Sequence, residues 1–167
     1  RYDTLNHVLS VGLDRRWRRR AVRELGLTGR ERVLDACTGT ADLAIEAVTV
    51  KRPRESLFRK TTPGVVFSGD VVGVDFAGEM LRIGLAKVRR LGLDSRVRLA
   101  RADATCLPLR DASFDASMVA FGIRNVADPS AALREFRRVL RPGGRLAILE
   151  FGFPKIPGVR GLYRAYF

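Results

Sequence analysis

Arg32-Val33-Leu34-Asp35-Ala36-Cys37-Thr38-Gly39-Thr40-Ala41-Asp42 is the stretch that decides the fold of this chain. Apolar residues lead to an acidic one, a run of small residues follows, and a helical pattern of apolar residues begins at Leu43. This order predicts a strand, a tight turn and a helix. Small residues let backbone N–H groups approach a ligand closely, and a helix N-terminus favours negative charge. The turn is therefore a candidate cofactor loop, although a small-residue turn is also compatible with a simple connection.

Two further acidic residues end predicted strands. Val71 to Asp75 is a second apolar run closed by an aspartate, and Val97 to Asp103 is a third. In open α/β folds the carboxyl ends of parallel strands meet at one edge of the sheet, where ligands bind. We therefore predict that Asp35, Asp75 and Asp103 share one site.

Length and composition indicate one globular domain. The chain has 167 residues, of which 46% are hydrophobic and 29% charged, and it opens without a secretory signal pattern. A single histidine, His7, and two cysteines without metal-ligand spacing predict neither a metal site nor a disulfide framework. A cytoplasmic location is the default expectation. The first residue is Arg1 rather than methionine, which suggests a fragment.

The net charge of +13 is compatible with three kinds of surface. Nucleic acid, an anionic membrane face and simple solubility all remain open, because composition alone does not choose between them. Much of the charge falls in a predicted helix over Leu13 to Leu25, with Trp17, Ala21, Val22 and Leu25 on one face. The arginines around that face are interpreted as a solvated surface, with lipid headgroups as the alternative.

The remaining periodicity predicts a doubly wound, mostly parallel α/β sheet. Strands are expected at 32–35, 71–75, 97–102, 114–121 and 145–151, with helices at 41–50, 78–91 and from Pro129 after an Asp128 cap. That last helix is expected to turn Leu133, Phe136, Val139 and Leu140 inward. The chain is expected to divide into a helical cap at 1–30 and a cofactor-binding domain at 31–167, and the segment 51–68 of that domain is interpreted as a basic surface insertion.

Four stretches carry a resemblance to a known family. They are Tyr2 to Asn6 with Ser10 and Trp17, the turn Gly39 to Asp42, Phe121 to Val126, and Arg138 to Arg145 continuing into Leu149-Glu150-Phe151. Together they resemble the quinone-biosynthesis C-methyltransferases, demethylmenaquinone methyltransferases among them. These belong to the Rossmann-like class I S-adenosylmethionine-dependent methyltransferases. The first and third stretches are specific to that family.

Several positions depart from the family pattern. Asp14 stands where the family usually has histidine, Leu5 where it has methionine, and Gly152 where it has serine. Ala41 replaces a glycine common in methyltransferases, and the 51–68 insertion lengthens the spacing between Asp35 and Asp75. The family fold continues with an antiparallel strand pair, so a C-terminal part is expected to be missing.

The resemblance implies S-adenosylmethionine as cofactor. Asp75 would accept hydrogen bonds from the ribose hydroxyls, and Asp103 with Ala104 would meet the adenine. Gly39 and Thr40 would line the methionine moiety. Asp35 would organise the turn or the ammonium group, and Phe76 with Met80 would flank the adenine.

The resemblance also implies a lipophilic quinol as methyl acceptor. Arg124 and Asn125 are the candidate catalytic residues, with Asp3 or a water as proton acceptor, and Tyr2, Asn6 and Arg124 are the candidate substrate contacts. The sequence favours demethylmenaquinol weakly over a benzoquinol of the ubiquinone pathway. A peripheral contact with the inner face of the plasma membrane follows from such a substrate.

Two other classes of function remain open. An RNA or small-molecule methyltransferase is suggested by the positive charge, but the residues after the fourth strand, Ala120 to Ile123, lack the tetrad typical of base-amine methylation. Nucleic acid is therefore an unfavoured partner. A quinone-pathway carrier or assembly subunit would be non-enzymatic. The oligomeric state is open, a homo-oligomer included.

Overall fold

The computed structural model describes residues 13–49 and 69–150. Tyr2, Asp3 and Asn6 lie outside the described residues, as do His7 and the 51–68 segment. The expectations attached to them therefore stay predictions.

Four helices, one 3-10 turn and five strands alternate along the described chain. They are α1 (Leu13–Glu24), β1 (Val33–Ala36), α2 (Asp42–Thr49), β2 (Val71–Asp75), α3 (Gly78–Arg90), β3 (Val97–Arg101), β4 (Phe114–Ala120), the 3-10 turn Ile123–Asn125, α4 (Pro129–Val139) and β5 (Leu140–Leu149). The predicted elements are confirmed, with ends shifted by one or two residues in most cases. Strand β5 is the exception, since it begins at Leu140 and resumes regular pairing with β4 at Arg145 after an irregularity.

The five described strands form one parallel sheet in the order β3-β2-β1-β4-β5. Strand β1 lies at the centre, so Asp35 pairs in register with Gly73 on one side and with Met118 on the other. The chain builds outward from β1 to β3 and then crosses back to β4. The strand order therefore reverses beside β1, and in doubly wound folds this switch point is where ligands bind.

Two hydrophobic clusters cover the two faces of the sheet. One joins α1 and α2 to residues such as Val33, Val71 and Met118, and the other joins α4 to Leu34, Val74 and Val119. Neighbouring residues of β1 thus enter opposite clusters, as strand geometry requires. Burial on both faces accounts for the nearly continuous apolar strands.

Helix α1 is part of the core. Val22 and Leu25 are buried in the same cluster as Val33, while Trp17 lies with its ring centre 6.5 Å from that of Phe121. The predicted apolar face of the helix is confirmed. Its packing brings α1 against α2, where its polar side chains reach the first residue of that helix.

Helix α4 begins as predicted, since the Asp128 carboxylate accepts the Ala131 backbone N–H and Pro129 follows the cap. The expected inward face was partly wrong. Phe136 and Val139 are fully buried, but Leu133 is 38% exposed and its place in the core is taken by Ala132. The small alanine side chain lets the helix approach the sheet closely.

Arg138 holds α4 to the loop before β4, and its loss is expected to destabilise the fold. Its guanidinium donates to both carboxylate oxygens of Glu135 at 2.7 Å, to the Leu107 and Leu109 carbonyls, and to Asp111. Replacing it by methionine leaves these acceptors without their donor. We expect Arg138→Met to lower the free energy of unfolding by about 2–4 kcal/mol in urea denaturation. The exposed neighbour Arg137, replaced in the same way, is the control, and equal losses in both variants would contradict the prediction.

Candidate functional site

A cleft of about 1570 Å³ opens at the carboxyl ends of the central strands. It runs from the switch point between β1 and β4 along β2 and β3 and outward to α1. All of the predicted cofactor residues line it, together with basic residues of α1 and α3. These predicted lining residues are Asp35, Gly39, Thr40, Asp75, Phe76, Asp103 and Ala104. The predicted convergence of Gly39, Asp75 and Asp103 on one crevice is therefore observed.

The turn after β1 has an unusual backbone. Cys37, Gly39 and Ala41 have φ values of +53°, +55° and +64°. Only glycine adopts this region at no steric cost, so Cys37 and Ala41 hold strained conformations. Such strain persists where the surrounding structure fixes the backbone. The sequence gives a hint only at Ala41, which stands where methyltransferases commonly have glycine, the residue that adopts positive φ without strain.

Three glycines from three elements fix this turn by close approach. A Cβ on Gly73 of β2 would lie 2.8 Å from the Thr38 hydroxyl oxygen, and one on Gly122 would lie 2.4 Å from the Cβ of Cys37. A Cβ on Gly84 of α3 would lie 3.1 Å from the Thr40 carbonyl carbon. The turn thus packs against three glycines, at each of which a side chain would crowd it. Sequence reasoning did not identify these glycines.

Asp75 joins the turn to the end of β2. One of its carboxylate oxygens accepts the Gly39 backbone N–H at 2.7 Å and the other accepts the Ala77 N–H at 2.8 Å. An ionised carboxylate offers about four acceptor positions, so each oxygen can still accept one more hydrogen bond. This arrangement suits a ligand with two neighbouring hydroxyl groups.

Asp103 and Phe76 form the outer part of the cleft beside β3. Asp103 accepts hydrogen bonds from the backbone N–H and the hydroxyl of Thr105, and these bonds lower the pKa of its carboxyl. Ala104 is buried, whereas the Phe76 ring is 67% exposed, with the Arg101 guanidinium 5.4 Å from its centre. An exposed aromatic ring beside an ionised carboxylate can accept a stacked heterocycle.

Asp35 lies behind the turn and is almost fully buried. Burial raises the pKa of this carboxyl to about 7, although hydrogen bonds from the Thr38 hydroxyl and the Ala44 backbone N–H act in the opposite direction. The structure therefore supports a role for Asp35 in organising the turn, one of the two roles expected of it.

The raised pKa predicts a pH-dependent stability. Because the folded chain binds a proton at Asp35 more tightly than the unfolded chain, the contribution of Asp35 to the free energy of unfolding is greatest below about pH 4 and falls as pH rises to about 7. The loss is roughly 4 kcal/mol at most. Asp35→Asn should remove this slope in denaturation series at pH 4 to 8. Hydrogen bonds to Glu31 lower its pKa to about 2 despite its partial burial. The stability that Glu31 contributes therefore changes with pH mainly below this pH range. An unchanged slope in the variant would refute the assignment to Asp35.

The electrostatics of the cleft favour a cation. Burial, together with the nearby carboxylates of Asp75, Asp35 and Asp103, raises the pKa of the Cys37 thiol to about 12. The thiol is therefore neutral, and the strand ends carry a concentration of negative charge within a strongly basic chain. In the described residues, Asp75 and Asp103 have no cationic partner. The carboxylates, the hydroxyl acceptors and the exposed ring fit the nucleoside sulfonium that the resemblance implies.

Asn125 and Arg124, the predicted catalytic residues after β4, lie in different parts of the structure. Asn125 lines the cleft on the 3-10 turn, and its amide lies 3.5 Å from the Phe121 carbonyl oxygen. Arg124 is not among the residues that line the cleft, and its guanidinium lies 3.4 Å from the Glu150 carboxylate. Although the two predicted catalytic residues are adjacent in sequence, only Asn125 lines the cleft in the structure, and Arg124 lies beside Glu150 instead.

Sequence reasoning missed a set of charged side chains at the mouth of the cleft. Lys87 of α3 donates to the Thr40 hydroxyl and to the Asp42 carboxylate, and Arg18 of α1 reaches both Asp42 and Asp14. Asp14, noted only as a departure from the family pattern, is buried against Arg18. Lys87 carried no signal in the sequence, because lysine on a helix usually faces solvent.

In the described part of the chain, no helix has the length and apolar character needed to cross a bilayer.

Comparisons with known proteins agree with this geometry. The model of the ubiE/COQ5 methyltransferase family matches residues 1–167. A Geobacter protein named ubiquinone/menaquinone biosynthesis C-methyltransferase is 44% identical over all of this chain and 65% of its own length. A Thermus thermophilus demethylmenaquinone methyltransferase is 48% identical over all of this chain and 68% of its own length. The chain thus spans about two thirds of these curated relatives.

A solved structure supports the fold. The SAM-dependent methyltransferase of Aquifex aeolicus superposes with a TM-score of 0.67 at 24% identity, covering 84% of this chain and 66% of that protein. The predicted Rossmann-like class I methyltransferase fold is confirmed.

Proposed function

This chain belongs to the ubiE/COQ5 methyltransferase family, and from that premise we propose that it transfers a methyl group from S-adenosylmethionine to a ring carbon of a polyprenylated quinol precursor. The favoured reaction converts demethylmenaquinol to menaquinol, as the name of the Thermus relative suggests. The observation that carries the cofactor assignment is the convergence of Gly39, Asp75 and Asp103 at the acidic strand ends of one cleft.

The cofactor is proposed to lie along the strand ends. Asp75 would accept the ribose hydroxyls through its remaining acceptor positions, while Asp103 and the Ala104 backbone would meet the adenine beside Phe76. Gly39 and Thr40 would line the methionine moiety. When bound, this cofactor supplies an electrophilic methyl group on a positively charged sulfur. The negative charge of the cleft would hold that cation in place.

The proposed acceptor needs an electron-rich ring. Removing a phenolic proton raises the electron density at the ring carbon, and alignment of that carbon with the methyl group contributes much of the remaining rate enhancement. Arg124 would have to leave its pair with Glu150 and turn into the cleft to stabilise the phenolate oxygen, whereas Asn125, already in the cleft, would orient the ring. Asp3 or a water molecule would accept the phenolic proton, and Tyr2 and Asn6 would close over the substrate. As the new carbon–carbon bond formed, the bond between the methyl group and the cofactor sulfur would break and leave a neutral thioether. The hydrogen on the methylated ring carbon would then leave as a proton and the phenolate oxygen would regain one, which restores the aromatic quinol.

The test is turnover by the full chain given above. Purified protein is incubated anaerobically with S-adenosylmethionine labelled in the methyl group and a reduced demethylnaphthoquinone with a short prenyl tail. A demethylated benzoquinol and RNA form the other two arms. Label in the naphthoquinol ring is expected. Label in the benzoquinol alone or in RNA alone would reassign the substrate. Measurable cofactor binding without transfer to any acceptor would support a carrier or assembly role instead.

We also propose a peripheral contact with the inner face of the plasma membrane, because the acceptor carries a lipid tail. Helix α1 supports this with exposed arginines at positions 15, 16, 20 and 23. Each arginine near an anionic surface contributes about 1 kcal/mol. Sedimentation with phosphatidylglycerol vesicles should exceed that with phosphatidylcholine vesicles and should decrease as salt is added. Equal sedimentation with both lipids would count against the contact.

A further inference from the structure

Lys87 is the only lysine in the described residues that lines the cleft, and its ammonium group is partly withdrawn from solvent. Its nitrogen lies 2.7 Å from the Thr40 hydroxyl oxygen and 2.8 Å from an Asp42 carboxylate oxygen. It therefore connects α3 to the turn after β1 and to the first residue of α2. Thr40 itself is buried, with 4% of its surface exposed.

The chemistry of this contact fixes the direction of the Thr40 proton. An ammonium group has three donors and no acceptor, so the Thr40 oxygen must accept a hydrogen bond from Lys87. The hydroxyl proton of Thr40 cannot point at Lys87 and has to be donated elsewhere. Since Thr40 lines the cleft, this proton is available to an acceptor on a bound ligand.

The cations around the Lys87–Thr40 contact offset the negative charge of Asp42, so that an anionic ligand group can approach. The Asp42 carboxylate already receives the Arg18 guanidinium on its other oxygen, at 3.3 Å. Arg18 is shared with Asp14, so two carboxylates face the two cations Lys87 and Arg18 here. Arg15, Arg19 and Arg90 also line the cleft on α1 and α3 and make this end basic. The strand ends at Asp75 and Asp103 are acidic in contrast. The cleft therefore presents opposite charges at its two ends.

We propose that Lys87 is a positioning residue that directs the Thr40 hydroxyl toward the carboxylate of the amino-acid end of the cofactor. This inference rests on the proposed function, since it assigns one end of the S-adenosylmethionine site. The cationic sulfur faces the acidic strand ends, and the carboxylate faces the Lys87 end. The two ends of the ligand are thereby distinguished by charge.

The experiment compares two ligands that differ by one group. S-adenosylmethionine and decarboxylated S-adenosylmethionine share the nucleoside, the sulfonium and the ammonium, but only the first has a carboxylate. Isothermal titration of the full chain gives the ratio of their dissociation constants. We expect Lys87→Met to reduce the preference for the carboxylated ligand by about tenfold or more, because a hydrogen bond network to a charged group is lost. Binding of the decarboxylated ligand should change little.

Two further variants make the result specific. Thr40→Val removes the hydroxyl that accepts the hydrogen bond from Lys87 and should cause a similar loss of preference for the carboxylated ligand. Adding Lys87→Met to Thr40→Val should have little further effect on that preference. Arg82→Met removes a positive charge from the exposed surface of α3, where Arg82 pairs with Glu79, and should leave the ratio unchanged.

The outcomes separate this inference from the function on which it rests. A wild-type chain that binds neither ligand overturns the proposed function and this inference with it. The result is different if the wild-type chain binds S-adenosylmethionine but Lys87→Met weakens the binding of both ligands equally. This result overturns the present inference alone, because a purely structural role of Lys87 would have that effect. Loss of the preference in Arg82→Met as well would overturn it too, since general charge would then be the cause.

Discussion

Asp75→Asn is expected to weaken S-adenosylmethionine binding by a hundredfold or more in isothermal titration, which corresponds to about 3 kcal/mol. Asparagine has nearly the same shape as aspartate but only one acceptor oxygen. It can keep one of the two backbone hydrogen bonds, to Gly39 or to Ala77, and its amide would face the other N–H. The change also removes a negative charge from a site proposed to hold a cation and an acceptor proposed for the ribose.

The matched control is Asp70→Asn, at the opposite end of strand β2. Asp70, just before β2, forms an exposed ion pair with Arg98 at 2.7 Å. Such surface pairs contribute about 0–1 kcal/mol, so Asp70→Asn should bind the cofactor as the wild type does. If Asp75→Asn retained wild-type affinity, the proposed orientation of the nucleoside along β2 would be wrong.

Gly122→Ala is expected to have the largest effect on the shape of the site. The added methyl would lie 2.4 Å from the Cβ of Cys37, a separation that non-bonded carbon atoms do not reach. Either the segment after β4 or the turn after β1 has to move, and both line the cleft. We expect a loss of roughly 2–4 kcal/mol in unfolding free energy and no measurable cofactor binding at micromolar concentrations of ligand.

A second substitution tests whether the clash is the cause. Cys37→Gly removes the opposing Cβ, and glycine accepts the φ of +53° at this position without strain. The double variant Cys37→Gly, Gly122→Ala should therefore recover much of the stability and binding. Gly78→Ala is the control, since its nearest neighbour would lie 4.0 Å away. A double variant no better than Gly122→Ala would show that glycine is required there for another reason.

The order of the elements could be predicted because each one leaves a local signal. The valine-rich run Val71 to Val74 favours a strand buried on both faces, and Asp128 followed by Pro129 marks a helix start. The aspartates at the ends of the predicted strands then locate the site, because parallel strands bring their carboxyl ends to one edge of the sheet. For Asp75 and Asp103, reasoning from the sequence therefore reached the same cleft that the structure contains.

Other features depend on contacts between residues far apart in the chain. Leu133 and Ala132 are adjacent apolar residues of α4, and only the approach of the helix to the sheet decides that alanine is buried. Lys87 resembles any surface lysine until α3 packs beside Thr40. Arg124 was expected at the reacting groups, but its observed partner is Glu150, 26 residues further along the chain.

The sequence by itself determined the α/β class, the parallel sheet, the family and the edge at which the acidic residues gather. These follow from hydrophobic periodicity, turn composition and motif spacing, all of which act over a few residues. Only the tertiary structure decided how the turn after β1 is held. Its strained backbone at Cys37 and Ala41 is fixed by Gly73, Gly84 and Gly122. The physical reason is that close packing is a relation between distant segments, and no single segment encodes the space that its neighbour will leave.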